Sequence, residues 1–145
     1  MRLTLHTDYA LRLLMHLAVT PDRLATISEV AEAFAISRNH LVKVAHGLGQ
    51  AGFIETLRGR GGGLRLARAP EDIVVGDLVR AMEEDFRIVE CFDPAANTCR
   101  ISPACRLKGL LGDALDAWLA VLDEATLADL VARPAPLRRL LALTA

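Results

Sequence analysis

Two helix-start signatures and a glycine-tipped hairpin follow one another between Thr26 and Ala67, and together they leave this chain few folds to choose from. Thr26 and Glu29 have the spacing of a capping box, and Val30, Ala31 and Phe34 give the helix they start an apolar face. A tight turn at Ala35-Ile36 follows. Ser37 then caps a second helix, in which Leu41, Val44, Ala45 and Leu48 face inward until Gly52 stops it beyond Gln50. Two helices of this length joined by a turn of about three to four residues form a helix-turn-helix. Next, Phe53–Leu57 reads as a short strand and Leu64–Ala67 alternates as its return strand. Between them Arg58-Gly59-Arg60-Gly61-Gly62-Gly63 is a hairpin tip; no Gly-Lys-Ser or Gly-Lys-Thr follows, which excludes a phosphate-binding P-loop. The expected fold class is mainly α with a small β-wing, a winged helix-turn-helix.

The flanking sequence extends this unit. A helix over Thr7–Val19, with Thr7 as its cap and Leu11, Leu14, Met15 and Ala18 as its stripe, is broken by Pro21 and Asp22. Asp77–Glu84 reads as a further helix with Leu78, Val79 and Met82 inward, and Arg87–Phe92 as an extended lead into a loop rich in turn formers. A long helix over Leu107–Leu122 carries apolar residues from Leu107 to Leu122 on a stripe too wide for one-sided packing. So small a chain has little mass to cover that stripe, which points to a second copy and a homodimer. A short helix begins at Thr126, and Pro134 and Pro136 mark a tail. The resulting division is a winged helix-turn-helix domain over residues 1–85, a loop over 86–106, a dimerisation helix and short helix over 107–133, and a tail over 134–145. No apolar run approaches the roughly 18 residues of a membrane span. His6, Asp8 and Arg12 interrupt any signal-peptide core, so the expected location is the cytoplasm, with no membrane partner.

The net charge of −1 hides a segregation that matters more than its sum. Residues 36–70 carry Arg38, Lys43, Arg58, Arg60, Arg65 and Arg68 against Glu55, whereas residues 71–93 carry eight acids against Arg80 and Arg87. A basic half beside an acidic half suits a protein that turns one face to phosphate. The expected partner is double-stranded DNA, a palindromic operator read by a two-fold dimer. Ser37, Arg38, Asn39, His40 and Lys43 would sit in or beside the major groove, and Arg58 or Arg60 at the wing tip in the minor groove, whose negative potential favours arginine. An ordinary solvated surface is the plain alternative.

Cys91, Cys99 and Cys105 are the only cysteines, all within fifteen residues. An odd number of thiols in a reducing compartment argues against a disulfide framework and for ligation or redox chemistry. The spacing Cys91-x7-Cys99-x5-Cys105 is neither a zinc ribbon nor a ferredoxin run, so iron–sulfur and zinc both remain open, as do three unrelated buried thiols. No histidine or further cysteine lies in the loop, and His6, His16, His40 and His46 are too dispersed to form a site. His16 is expected on the surface of the first helix and His40 toward DNA. A thiol enzyme is the rival from another class; it needs an activating base, and only Arg106 and Lys108 beside Cys105 come near the requirement. A zinc-stabilised interaction module is a third possibility.

Asp8-Tyr9-Ala10-Leu11-Arg12, Ile36 through Val44, Arg58 through Leu66 and the three cysteines together resemble the winged-helix iron–sulfur transcriptional regulators of the NsrR/IscR family, over residues 1 to about 125, and within it the nitric oxide-sensing branch. The resemblance implies a homodimeric repressor of nitric oxide detoxification genes, with a cluster held by three cysteines per subunit and repression released when nitric oxide attacks the iron. IscR-type members carry a ligand histidine three residues after the last cysteine; Lys108 stands there, and an ammonium is a poor iron ligand. Members of the nitric oxide-sensing branch use a carboxylate near the start of the first helix, and Asp8 stands at that place; the resemblance implies that it reaches across from the other subunit. Three thiolates and one carboxylate fit a [4Fe–4S] cluster, with a [2Fe–2S] form as the alternative. The harder, weaker oxygen ligand would leave one iron open to a diatomic gas. A regulator of the same fold that senses oxygen, redox state or cluster supply is the nearest rival. As a plain helix-end charge, Asp8 would merely favour the macrodipole by about 0.3–1 kcal/mol.

Overall fold

The computed structural model describes residues 2–143; Met1 of the first unit and Thr144 and Ala145 of the tail lie outside the described residues. Helix α1 spans Leu5–Val19, two residues longer at its start than the sequence reading. Thr4, not Thr7, is its cap: the Thr4 hydroxyl accepts from the Thr7 N–H at 3.3 Å. Thr7 lies fully buried within the first turn, so its own hydroxyl is turned inward to Thr4 Oγ1 at 3.1 Å. The deepest face of α1 is Ala10, Leu13, Leu14 and Leu17, and Leu11, Met15 and Ala18 flank it in partial burial. Fully burying a leucine contributes about 1.5–3 kcal/mol, so this face is the main apolar anchor of the unit.

Helix α2, Ile27–Phe34, starts at the capping box expected from Thr26 and Glu29, both halves of which form. It ends at Ala35, whose left-handed φ of 53° lets its N–H reach the carbonyls of Ala31 and Glu32. Three residues later α3, Arg38–Gln50, begins, and Leu41, Val44, Ala45 and Leu48 are its buried face. Ser37 occupies the cap position of α3 but makes no side-chain capping bond, which leaves its hydroxyl uncommitted to the helix. Strands β1, Ile54–Leu57, and β2, Gly63–Leu66, pair antiparallel from Ile54 opposite Leu66 to Leu57 opposite Gly63. Ala25 adds an isolated bridge to the hairpin, exchanging backbone hydrogen bonds with Leu64 at 2.8 and 3.1 Å. At the tip, Gly61 has φ of 78°, and a Cβ on Gly62 would fall 2.2 Å from the Leu57 carbonyl, so only glycine fits there. The mainly helical fold with a small β-wing is therefore present as read.

Helix α4, Val75–Met82, buries Leu78, Val79 and Met82. The following segment, expected to be extended, instead contains a 3₁₀ turn at Glu90–Phe92, and a second such turn at Ser102–Ala104 leads into α5, Arg106–Asp123. Helix α5 meets α4 through the Arg80–Asp123 ion pair, with Nη1 and Nη2 on the two carboxylate oxygens at 2.5 and 2.7 Å. Helix α6, Leu127–Leu130, returns to the first unit: Leu127 is 1% exposed within the core, its N–H bonds Ile73 O at 2.8 Å, and Thr126 pairs with Val74. The proline-marked segment forms one more helix, α7, Pro134–Leu140, and Arg138 Nε donates to the Val19 carbonyl at the end of α1 at 2.7 Å. No helix among the described residues is long and apolar enough to cross a membrane.

His16 is a correction to the sequence reading. It is 0% exposed, packed near Phe34, and neither ring nitrogen has a hydrogen-bond partner among the described residues. Burial, with the positive Arg23 as a second cause, holds its pKa below the ordinary 6.5, and Glu29 opposes this in part. Below that ordinary value the unfolded chain binds a proton that the folded chain refuses, so stability is present at neutral pH and falls as pH drops. Thermal unfolding followed from about pH 7.5 to about pH 5.5 should show a falling midpoint. In His16→Leu that slope should flatten; equal slopes in the two proteins would remove His16 as its source.

Candidate metal centre and nucleic-acid interface

Three short turns carry the three cysteines. Cys91 lies in the 3₁₀ turn Glu90–Phe92, Cys99 follows the turn at Asn97, and Cys105 is the residue that caps α5. All three are free and half-buried. The loop is ordered by its own polar groups: Asp93 accepts from Arg87 Nη1 at 2.6 Å and from the Ala95 N–H at 3.0 Å, and Asn97 Oδ1 accepts from the Cys99 N–H at 3.1 Å. Glu90 Oε1 accepts from the Thr98 hydroxyl and N–H, and these bonds hold its carboxyl below the usual carboxylate range. The donor set suits an iron–sulfur cluster, since three soft sulfur donors sit on tight turns with none committed to a disulfide. The side chains themselves are not gathered: among the described residues no three His, Cys, Asp or Glu side chains form a metal-holding group, with or without Asp8.

Asp8 lies in the first turn of α1, where both of its oxygens are engaged by Arg12, Nε to Oδ1 at 3.1 Å and Nη2 to Oδ2 at 2.7 Å. Asp8 is thus held in an ion pair while remaining the acidic residue of the first turn of α1. The pair continues toward α3. The Arg12 guanidinium lies 5.8 Å from the centre of the Tyr9 ring, and Tyr9 meets the His40 ring edge-on at 4.9 Å. His40 is half-buried beside Tyr9 of α1. The start of α1 is also tied to the end of α4, because Glu83 Oε1 accepts from the Thr4 N–H at 2.8 Å and the Thr4 hydroxyl at 3.1 Å. Lys108 is exposed in the first turn of α5.

Ser37, Arg38, Asn39 and Lys43 are exposed along α3, and Arg58 and Arg60 are exposed on the wing. Of the six basic residues in this stretch, two serve the fold. Arg65 pairs with Glu55 across the strands at 2.7 Å, and Arg68 donates to Gly52 O at 3.2 Å while lying 4.8 Å over the Phe53 ring. Arg38, Lys43, Arg58 and Arg60 form no ion pair among the described residues. Sequence reasoning missed Val42, which is 51% exposed on the same side of α3 and lines a groove shared with Thr56 and Arg58 of the wing. Its signal was an apolar residue out of phase with the Leu41, Val44, Leu48 stripe; such a side chain suits contact with a thymine methyl group.

Helix α5 completes the picture. Leu111, Leu115, Trp118, Leu119 and Leu122 are half-buried, with Trp118 6.4 Å from the Phe86 ring. Leu107, Leu110 and Val121 are 58%, 64% and 67% exposed, and with the exposed Ala114 and Ala117 they fall at alternating spacings of three and four. That alternation of three and four is the spacing of a coiled-coil seam.

Comparison with known proteins agrees with the winged fold. The chain is 54% identical over 142 residues to the HTH-type transcriptional regulator NsrR of Bacillus subtilis strain 168, covering 97% of each chain. It superimposes on T. potens IscR with a TM-score of 0.72 at 25% identity, covering 90% of this chain and 86% of that one. Staphylococcus aureus CymR in its oxidized form gives a TM-score of 0.71 at 29% identity, with 90% and 95% covered. A family model described as Rrf2, iron-dependent transcriptional regulator, matches residues 3–133. With its winged fold, its exposed recognition helix and its likeness to transcription factors and not enzymes, this chain belongs to the Rrf2 family of transcriptional regulators.

Proposed function

We propose that this regulator is a homodimeric, cytoplasmic DNA-binding repressor that senses nitric oxide through an iron–sulfur cluster and controls nitric oxide detoxification genes. The observation that carries the reading is the set of three uncommitted thiols on turns that lead into α5, in a chain about half identical to regulators named NsrR. Cys91, Cys99 and Cys105 would hold the cluster, with Asp8 of the other subunit as the fourth ligand. When bound, the cluster, [4Fe–4S] with four ligands or [2Fe–2S] in the alternative, would supply iron able to react with nitric oxide. The exposed apolar seam of α5 supports the dimer that such a shared ligand needs.

Asp8 has two uses open to it, as partner of Arg12 and as ligand, and the choice between them changes what Arg12 binds. Arg12 lies over Tyr9, and Tyr9 touches His40 in the first turn of α3, so the exchange bears directly on the helix that reads DNA. A local change of charge is thus read out as a shift of the recognition unit.

Each of Cys91→Ala, Cys99→Ala and Cys105→Ala should lose iron and cluster-dependent DNA binding while remaining a folded dimer, because α5 does not rest on a metal. Anaerobic purification with iron and sulfide counting, followed by visible absorbance on addition of nitric oxide, tests this. A colourless parent protein with stoichiometric zinc defeats the reading, as does full occupancy in any one variant; a spectrum indifferent to nitric oxide but bleached by oxygen turns the signal to the redox alternative.

Asp8→Ala should keep the three thiolate bonds, so that cluster assembly persists with an altered spectrum and altered reaction with nitric oxide. If spectrum and reactivity both match the parent, Asp8 is a partner of Arg12 and nothing more.

For DNA, a two-fold dimer should read a palindrome with half-sites roughly 10–10.5 bp apart. Arg60→Ala should weaken the preference for A/T-rich flanks under the wing. Lys43→Ala should weaken binding to all sequences and lower the log–log salt slope by about one unit. Binding titrations at several salt concentrations on a palindromic promoter library check both, and a cluster-loaded dimer with no salt-sensitive binding to any member would refute DNA recognition.

A further inference from the structure

We infer that Glu90 is a positioning residue for the cluster ligands: it latches the segment bearing Cys99 onto the segment bearing Cys91 before any iron arrives. The inference rests on reading the three cysteines as ligands. Glu90 immediately precedes Cys91, and Thr98 immediately precedes Cys99. A single oxygen, Glu90 Oε1, accepts from the Thr98 N–H at 2.5 Å and from the Thr98 hydroxyl at 2.7 Å. The other side-chain bonds of the loop do not make this crossing. Asp93 to Ala95 and Asn97 to Cys99 each span two residues, and Arg87 to Asp93 passes over Cys91 without reaching Cys99.

The latch addresses the main cost of building this site. Nine residues from Cys91 to Cys99, with no regular structure beyond the 3₁₀ turn, must be brought to one geometry before two sulfurs can serve one cluster. Closing even a short loop has an entropic cost, and ordering paid in the folded apo chain is not charged again on metal binding. Glu90 and Thr98 are exposed, so their bonds compete with water and each contributes modestly. Their effect is geometric: both donors converge on one acceptor, which restricts the Thr98 backbone and with it the direction in which Cys99 leaves.

The test compares the parent with Glu90→Ala, Glu90→Gln and Thr98→Val. Glutamine retains an Oε1 that can accept both bonds, and Thr98→Val removes only the hydroxyl. In the cluster-free protein, amide hydrogen exchange at Thr98 and Cys99 should speed up about tenfold in Glu90→Ala and about threefold in Thr98→Val, with Glu90→Gln near the parent. After anaerobic reconstitution with ferrous iron and sulfide, loss of visible absorbance to EDTA should follow the same order. Glu90→Ala matching the parent in either measurement overturns the inference, as does Glu90→Gln failing like Glu90→Ala. A parent that takes up no iron refutes the cluster reading and the ligand-positioning role with it; the exchange rates then still tell whether the latch exists, so the two failures are told apart.

Discussion

Helix α1 is the common wall of the molecule. Its inner face of Ala10, Leu13, Leu14 and Leu17 is sealed, and α2, α3, α4, α6, α7 and β2 all pack on it. Its two ends are held by groups far away in sequence: Glu83 holds Thr4 at the start, and Arg138 takes the Val19 carbonyl at the end. The same helix carries Asp8, Arg12 and Tyr9 on its less buried side. Close-packed interfaces of this kind do not deform continuously. Asp8 is linked to α3 through Arg12 and Tyr9, on which His40 is seated.

Charge is distributed by the same logic. Arg65 and Arg68 stiffen the wing from behind, through Glu55 and the Phe53 ring, while Arg58 and Arg60 project from its tip. Glycine makes that tip possible where Gly62 comes under the Leu57 carbonyl. Three acids of the stretch after residue 70 are engaged within the chain, Asp77 by Arg80, Asp93 by Arg87 and Glu83 by Thr4. A protein near neutrality overall can thus hold a cationic face, since phosphate responds to the local potential.

Helix α5 buries one apolar face partly and leaves a three-four seam in water, and the cysteines that precede it are not gathered by themselves. In the dimer proposed above, a second copy would cover the seam and bring a further ligand.

Much of this was legible in the residues. The capping box at Thr26 and Glu29, the period of Leu41, Val44, Ala45 and Leu48, and the glycine run of the wing depend on neighbours in sequence, so sequence alone determined the helix-turn-helix and its hairpin. The three cysteines and the exposed Arg58 and Arg60 were equally plain as candidates, being residue types with few other roles at such spacing. What lay beyond sequence depended on contacts between distant segments. Thr4 displaced Thr7 as cap because Glu83 arrives to bind it; His16 went inside because α2 closes over α1; Ala25 became an isolated bridge to the hairpin because Leu64 lies beside it. The proline-marked end became α7 because Arg138 finds the free carbonyl that α1 leaves at Val19. Local propensities determine which elements form; only tertiary packing decided which face, which cap and which partner each one has, because those energies come from groups the chain brings together on folding.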